Sequence, residues 1–161
     1  MDSGSRIRVA VNGYGVIGKR VADAVIRQDD MELAGIADIG ADWRMRVVPH
    51  KGFALYGATA EHADVMRRSG LDVAGTLDEL LDSADVVVDC TPKRIAAKNV
   101  ETYRQRGQRF IVQGGEKHEV TGHSFVADAN YESAIGRDST RVVSCNTTST
   151  VRTLTALKGA G

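Results

Sequence analysis

Cysteine is scarce in this 161-residue chain, which has two, Cys90 and Cys145. Two cysteines far apart in sequence are too few for a disulfide scaffold. Aromatic residues make up only 5%, so the core must be aliphatic. There is no excess charge of either sign: 21 Lys and Arg balance 21 Asp and Glu. That argues against a nucleic-acid binder of the basic-patch kind. No apolar run approaches the ~20 residues that span a bilayer. The start, Met1 to Arg6, has no apolar signal core, so secretion is not indicated. No internal repeat, low-complexity segment or linker interrupts the chain. What is plentiful is glycine, at 17 residues, within a hydrophobic fraction of 42%. This is the composition of one soluble domain with tight turns.

Periodicity predicts alternating strands and helices. Ile7–Asn12 is a short β-branched run, and residues 16–28 carry apolar side chains at helical spacing. Met31–Asp38 reads as a second strand and residues 41–51 as a helix closed by Pro49 and Gly52. Residues 53–56 and 71–75 read as short strands, with a polar helix over 61–69 between them. Thr76 followed by Glu79 is a capping box opening a helix to Ser83. The valine run in residues 84–90 is the strongest strand, apolar enough for burial on both faces, as in a parallel sheet. A helix over 95–105 and a strand over 109–113 follow. The pattern loosens from 114 to 137. A last strand over 140–144 leads into a helix over 147–158. This order predicts an α/β fold, a Rossmann-like doubly wound and mostly parallel sheet, across residues 1–161.

Gly13-Tyr14-Gly15-Val16-Ile17-Gly18 fits the G-x-G-x-x-G pattern between a strand and a helix, the context that pattern needs. Gly13 permits the sharp turn, Gly15 leaves the backbone open to a pyrophosphate, and Gly18 permits close helix packing. The helix start then offers N–H groups and the positive end of its dipole to an anion. Asp38 ends the second strand, about 20 residues after Gly18. Its carboxylate suits the ribose hydroxyls of NAD and would repel the 2′-phosphate of NADP; it can equally be a helix cap. Arg44 and Arg46 follow closely and could soften that preference.

Cys145, in Ser144-Cys145-Asn146-Thr147-Thr148, sits between a strand and a helix. A thiolate is favoured at a helix N-terminus and can attack an aldehyde. The competing role is that of a small buried hydrophobe. Cys90, inside the valine run, reads as a core residue. Gly114 and Gly115, in Gln113 to Lys117, would lie at the carboxyl edge of the sheet, as a ligand loop or a simple turn. His118 and His123 lack further ligands at workable spacing, so no metal site is expected.

These segments together resemble archaeal-type, or type II, glyceraldehyde-3-phosphate dehydrogenase. The resemblance rests on Val11 to Ala22, Val88 to Pro92, Gln113 to His118, Ser124 to Glu132 and Arg141 to Thr148, in the family's order. It implies NAD(P)-dependent phosphorylating oxidation of glyceraldehyde 3-phosphate to 1,3-bisphosphoglycerate, with Cys145 as nucleophile. It implies that Ser144 and Asn146 contact the triose phosphate, and that Val16, Ile17 and Gly115 contact the cofactor. It also implies a cytoplasmic homotetramer. Three departures stand out. Asp38 and Ile39 occupy positions where many members carry Lys and Thr, which favours NAD as the preferred cofactor and leaves NADP open. Ser149 and Thr150 replace a common Gly-Leu. The chain stops after the segment 141–158, where the family's catalytic domain would follow with its histidine base and phosphate sites. The expectation is therefore a truncated nucleotide-binding half of the enzyme, incomplete by itself, with a split enzyme completed by a second chain as a variant. The alternatives are a stand-alone NAD-binding module or pseudoenzyme, and a semialdehyde dehydrogenase, against which the segments at 113–117 and 144–148 argue.

Overall fold

The computed structural model describes residues 6–113 and 115–160. The chain divides into two compact units, Met1–Thr91 and Pro92–Gly161. Both are built on parallel strands with helical crossovers, the Rossmann-like α/β arrangement.

The first unit has β1 (Ile7–Asn12), α1 (Val16–Val25), β2 (Met31–Asp38), α2 (Trp43–His50), β3 (Leu55–Gly57), α3 (Ala60–Arg68), β4 (Gly75–Thr76), α4 (Leu77–Asp82) and β5 (Val86–Asp89). Its strands lie in the order β4-β3-β2-β1-β5. All pairings are parallel: Asn12 lies beside Ala37 on one side and Asp89 on the other. From β1 the chain first winds outward through β2, β3 and β4, then returns to pair β5 with β1's other edge. The winding direction thus reverses at β1, and in open α/β sheets the crevice beyond such a reversal takes the ligand.

The core of this unit is aliphatic. Val11, Ile36, Met45, Val48, Leu55 and Met66 are fully buried, joined by Tyr14, whose ring turns inward from the glycine-rich turn. α4 begins with the expected capping box: Glu79 N donates to Thr76 Oγ1 at 3.5 Å, and Thr76 N donates to Glu79 Oε2 at 2.7 Å. The bond from Thr76 N, and then one from the Thr76 hydroxyl at 3.1 Å, hold the Glu79 carboxyl below its ordinary range.

The second unit has α5 (Ile95–Gln105), β6 (Arg109–Val112), β7 (Ser124–Phe125), α6 (Ala127–Asn130), β8 (Ser139–Val142) and α7 (Cys145–Ala160). β8 pairs in parallel with β6 and with β7. Ala96, Val100, Tyr103, Phe110 and Val112 are buried, and the Tyr103 and Phe110 rings lie 5.6 Å apart.

Several boundaries differ from the periodicity. The helix expected to run to Gln28 ends at Val25, where a turn from Gln28 N to the Val25 carbonyl replaces it. Of residues 71–75 only Gly75 lies in a strand: Gly75 and Thr76 pair with Tyr56 and Gly57 of β3, preceded by one bond from Ala74 N to the Leu55 carbonyl at 2.8 Å. Leu71 and Val73 point into the core instead. Pro49 lies in the last turn of α2, as its closing role implied, and disturbs little there because the helix ends at His50. The last helix starts at Cys145, two residues before its expected start, because Ser144 caps it.

The Thr76 hydroxyl satisfies an N–H that would otherwise be unpaired at the start of α4. Thr76→Ala is expected to destabilise the chain by about 1 kcal/mol, and Thr76→Ser to restore most of it. Urea denaturation of the three proteins measures both.

Candidate functional site

The glycine-rich turn leaves the carboxyl end of β1 at the point of reversal. Gly13 has φ +92°, and a Cβ there would press on the Cys90 and Thr91 backbone at 3.1 Å. No L side chain fits that combination. A Cβ on Gly18 would collide with the Gly13 carbonyl oxygen, so α1 can lie this close to the turn only with glycine at 18. A Cβ on Gly15 would meet no described atom within 4 Å, so the backbone there faces open space. Val16 and Ile17 open α1 and are exposed, at 71% and 44%. Among the described residues no side chain caps the helix. Three glycines therefore create an uncapped helix N-terminus with clear space before it, an arrangement suited to a pyrophosphate.

Asp38, at the end of β2, is joined to this turn. Its Oδ2 accepts from Tyr14 N at 2.6 Å, and its Oδ1 accepts from Ile39 N and Gly40 N, each at 2.8 Å. The carboxylate thus ties the two loops together and shapes the bend after β2. An ionised carboxylate has about four acceptor positions, so three N–H partners leave room for a hydroxyl. Asp38 does not cap α2: that role belongs to Asp42, which accepts from Arg44 N at 2.9 Å. Arg44 and Arg46 are both engaged. Arg44 forms a fork with Asp42, and Arg46 donates to the Ser69 carbonyl at 3.2 Å.

Two features of this unit left little trace in the sequence. Tyr14 is buried, its hydroxyl lacks a hydrogen-bond partner among the described residues, and burial pushes its phenol up from the ordinary value. Asp89 and Asn12, at the ends of neighbouring strands, are both buried. Asn12 Nδ2 donates to Asp89 Oδ2 at 3.4 Å, and Asp89 Oδ1 accepts from Thr91 N at 2.9 Å. The register signal for this pair lies in the spacing of the two strands, which only strand pairing converts into contact. Cys90 is half-buried, and burial, with the Asp89 charge second, pushes its thiol up to about 12. It is inert packing.

In the second unit Cys145 is the first residue of α7 and is exposed. Ser144 caps the helix: its Oγ accepts from Thr147 N at 3.3 Å and its carbonyl accepts from Thr148 N at 2.8 Å. The Cys145 thiol lies 3.9 Å from Asn146 Oδ1. Ser144, Cys145 and Asn146 are thus adjacent and exposed at one helix start. Gly115 has φ +74°; Gly114 lies outside the described residues. Glu116, next to them, is buried and caps α5, its Oε1 accepting from Arg94 N at 2.5 Å and Ala97 N at 3.3 Å. That role was not read from the sequence.

Both histidines of the loose segment are engaged. His118 Nδ1 is 2.9 Å from Ser124 Oγ, which also accepts from Arg141 Nε at 2.8 Å. His123 is buried, with Nδ1 2.6 Å from Thr140 Oγ1 and Nε2 2.9 Å from Ser133 Oγ. Burial, then the Arg137 and His118 charges, hold its imidazole below the ordinary value. Among the described residues no group of three or more His, Cys, Asp or Glu is placed to hold a metal. No helix among them is long and apolar enough to cross a membrane.

Gly18→Ala forces α1 off the turn and is expected to cost at least about 1–3 kcal/mol, read as a lowered thermal midpoint. His123 has a depressed folded pKa, so its contribution is complete above the unfolded value near 6.5 and lost as pH falls towards the lower folded value. The midpoint should therefore drop on acidification through that window, and His123→Gln should flatten the drop.

Comparison with known proteins adds a family. The family described as dihydrodipicolinate reductase, N-terminus, matches residues 7–146. Among curated proteins, the glyceraldehyde-3-phosphate dehydrogenase of Methanothermus fervidus is 51% identical over 92% of this chain and 44% of its own length. That of Methanothermobacter thermautotrophicus is 52% identical, again over 92% of this chain and 44% of its own. The chain thus spans less than half the length of these relatives. A solved structure of GenD2 from gentamicin A biosynthesis, in complex with NAD, covers 70% of this chain and 28% of its own at 22% identity, with a TM-score of 0.45. The chain belongs to the dihydrodipicolinate reductase N-terminal family, and at about half identity it is similar to the N-terminal part of archaeal glyceraldehyde-3-phosphate dehydrogenase.

Proposed function

We propose that this chain is the nucleotide-binding, nucleophile-bearing half of a phosphorylating, NAD(P)-dependent glyceraldehyde-3-phosphate dehydrogenase. The observation that carries the reading is the open, uncapped start of α1 behind Gly13, Gly15 and Gly18, with Asp38 beside it. The named relatives supply the reaction. A dinucleotide fits these residues: the N–H groups at Val16 and Ile17 meet the pyrophosphate, and Asp38 takes the ribose hydroxyls. When bound, the nicotinamide supplies a hydride acceptor. NAD is the preferred form, because a 2′-phosphate would meet the Asp38 carboxylate.

Cys145 acts as nucleophile: its thiolate adds to the aldehyde carbon, and the carbonyl electron pair moves to oxygen. The N–H groups at the start of α7 stabilise that negative charge. Ser144 and Asn146 hold the triose phosphate beside the thiol. A general base must reach the reacting hydroxyl. His118 and His123 are committed to hydroxyl partners, and the resemblance to archaeal glyceraldehyde-3-phosphate dehydrogenase implies that the base comes from that family's catalytic domain. The same reading places the protein in the cytoplasm, in a homotetramer, with the substrate-binding half covalently joined or supplied by a second chain.

Calorimetric titration with NAD and NADP tests the cofactor site. Saturable NAD binding is expected, with weaker NADP binding and a collapse of that ratio in Asp38→Ala. Absence of binding by either dinucleotide overturns the reading. The 161 residues alone are expected to give no phosphate-dependent turnover with glyceraldehyde 3-phosphate. Alkylation by iodoacetamide is expected at Cys145 and not at Cys90. Dinucleotide binding with an unreactive Cys145 favours a stand-alone NAD-binding module instead.

A further inference from the structure

The bend after β2 carries more charge than Asp38. Asp42 and Arg44 face each other across it, with Arg44 Nε 3.0 Å from both Asp42 oxygens and Nη2 2.5 Å from Oδ2. Both side chains are about two-fifths exposed. The pair borders the Asp38 carboxylate. A Cβ on Gly40 would lie 3.2 Å from Asp38 Oδ1, 3.9 Å from Asp42 Oδ2 and 4.0 Å from Arg44 Nη2. Asp42 is further held in place because it caps α2. Another cation near this bend is also engaged: the Lys19 ammonium lies 5.2 Å over the Trp43 ring and 5.7 Å over the Tyr14 ring.

An arginine beside the ribose-binding acid is the side chain a 2′-phosphate would recruit, because its fork matches phosphate oxygens. Here the fork is filled by a carboxylate two residues away. Resting on the dinucleotide site proposed above, we infer that Asp42 is a second determinant of cofactor choice: it occupies Arg44 and so withholds it from the 2′-phosphate of NADP. Asp38 repels the extra phosphate, and Asp42 removes the cation that would offset that repulsion. An exposed ion pair competes weakly in water, so Asp42 acts as a bias on the affinity ratio.

The test is a double-mutant cycle read by calorimetric titration with NAD and with NADP. Asp42→Asn removes the charge while its side-chain oxygen can still cap α2, and Asp42→Ser is a second capping variant that guards against a folding defect. The NADP-to-NAD affinity ratio is expected to rise about fivefold in either, the size an exposed ion pair supports. The rise is expected to vanish in Asp42→Asn with Arg44→Ala. Arg44→Ala alone should leave the ratio within about twofold, since Arg44 is already occupied. An unchanged ratio in both Asp42 variants overturns the inference, as does a rise that survives removal of Arg44; in either case NAD binding by the unsubstituted chain leaves the dinucleotide site standing. Failure of the unsubstituted chain to bind NAD sinks the site and the inference with it.

Discussion

The first unit depends on the approach of α1 to the turn that precedes it. With no side chain at Gly18, the helix start comes against the Gly13 carbonyl. Gly13, in its left-handed conformation, turns the chain back sharply enough for that contact. Any bulk at either position would push the helix away and close the space before Gly15. Asp38 then locks the result from the neighbouring strand by accepting from Tyr14 N. The Tyr14 side chain continues inward as part of the core. One residue thus joins the mouth of the site to the packing beneath it, so the turn's shape and the unit's stability are coupled.

Charge at this site is arranged by short-range pairing. The chain has no net charge to steer an anion from a distance. Attraction for a dinucleotide must come from local N–H groups and from the helix end. The carboxylates around the bend after β2 are engaged by backbone donors and by Arg44. On the proposed reading, selectivity among dinucleotides is then a matter of which charges are already occupied. The arginines that follow β2 read differently once their partners are known: Arg46 reaches away to the Ser69 carbonyl.

The second unit organises its irregular stretch by the same rule, through polar side chains tied to specific neighbours. Glu116 caps α5, Arg141 holds the Glu116 carbonyl at 2.6 Å and the Ser124 hydroxyl, and His123 joins Thr140 to Ser133. These bonds do much of what regular secondary structure does elsewhere in the chain. Against them, α7 stands out. None of its residues is buried, and Leu154 and Leu157 are exposed at 60% and 65%. Cys145 sits at the accessible end of that helix.

Composition and periodicity by themselves determined the fold class, the alternation of strands and helices, the α4 capping box and the glycine turn, while the bond from Tyr14 N to Asp38 came only with the structure. Those features are local or follow from a fixed period, so they can be read along one chain. Cys145 was legible as a residue between a strand and a helix, whereas Ser144 and Asn146 were singled out only by the family resemblance. Tertiary structure alone decided the rest. The limit of β4 depended on Leu71 and Val73 turning into the core. The burial of Asp89 beside Asn12 depended on two strands distant in sequence pairing in register. Glu116 found the start of α5, and Arg44 proved to be held by Asp42 rather than free. Hydrogen bonds and ion pairs depend on ångström-scale placement of groups, which residue order constrains only after the chain has packed.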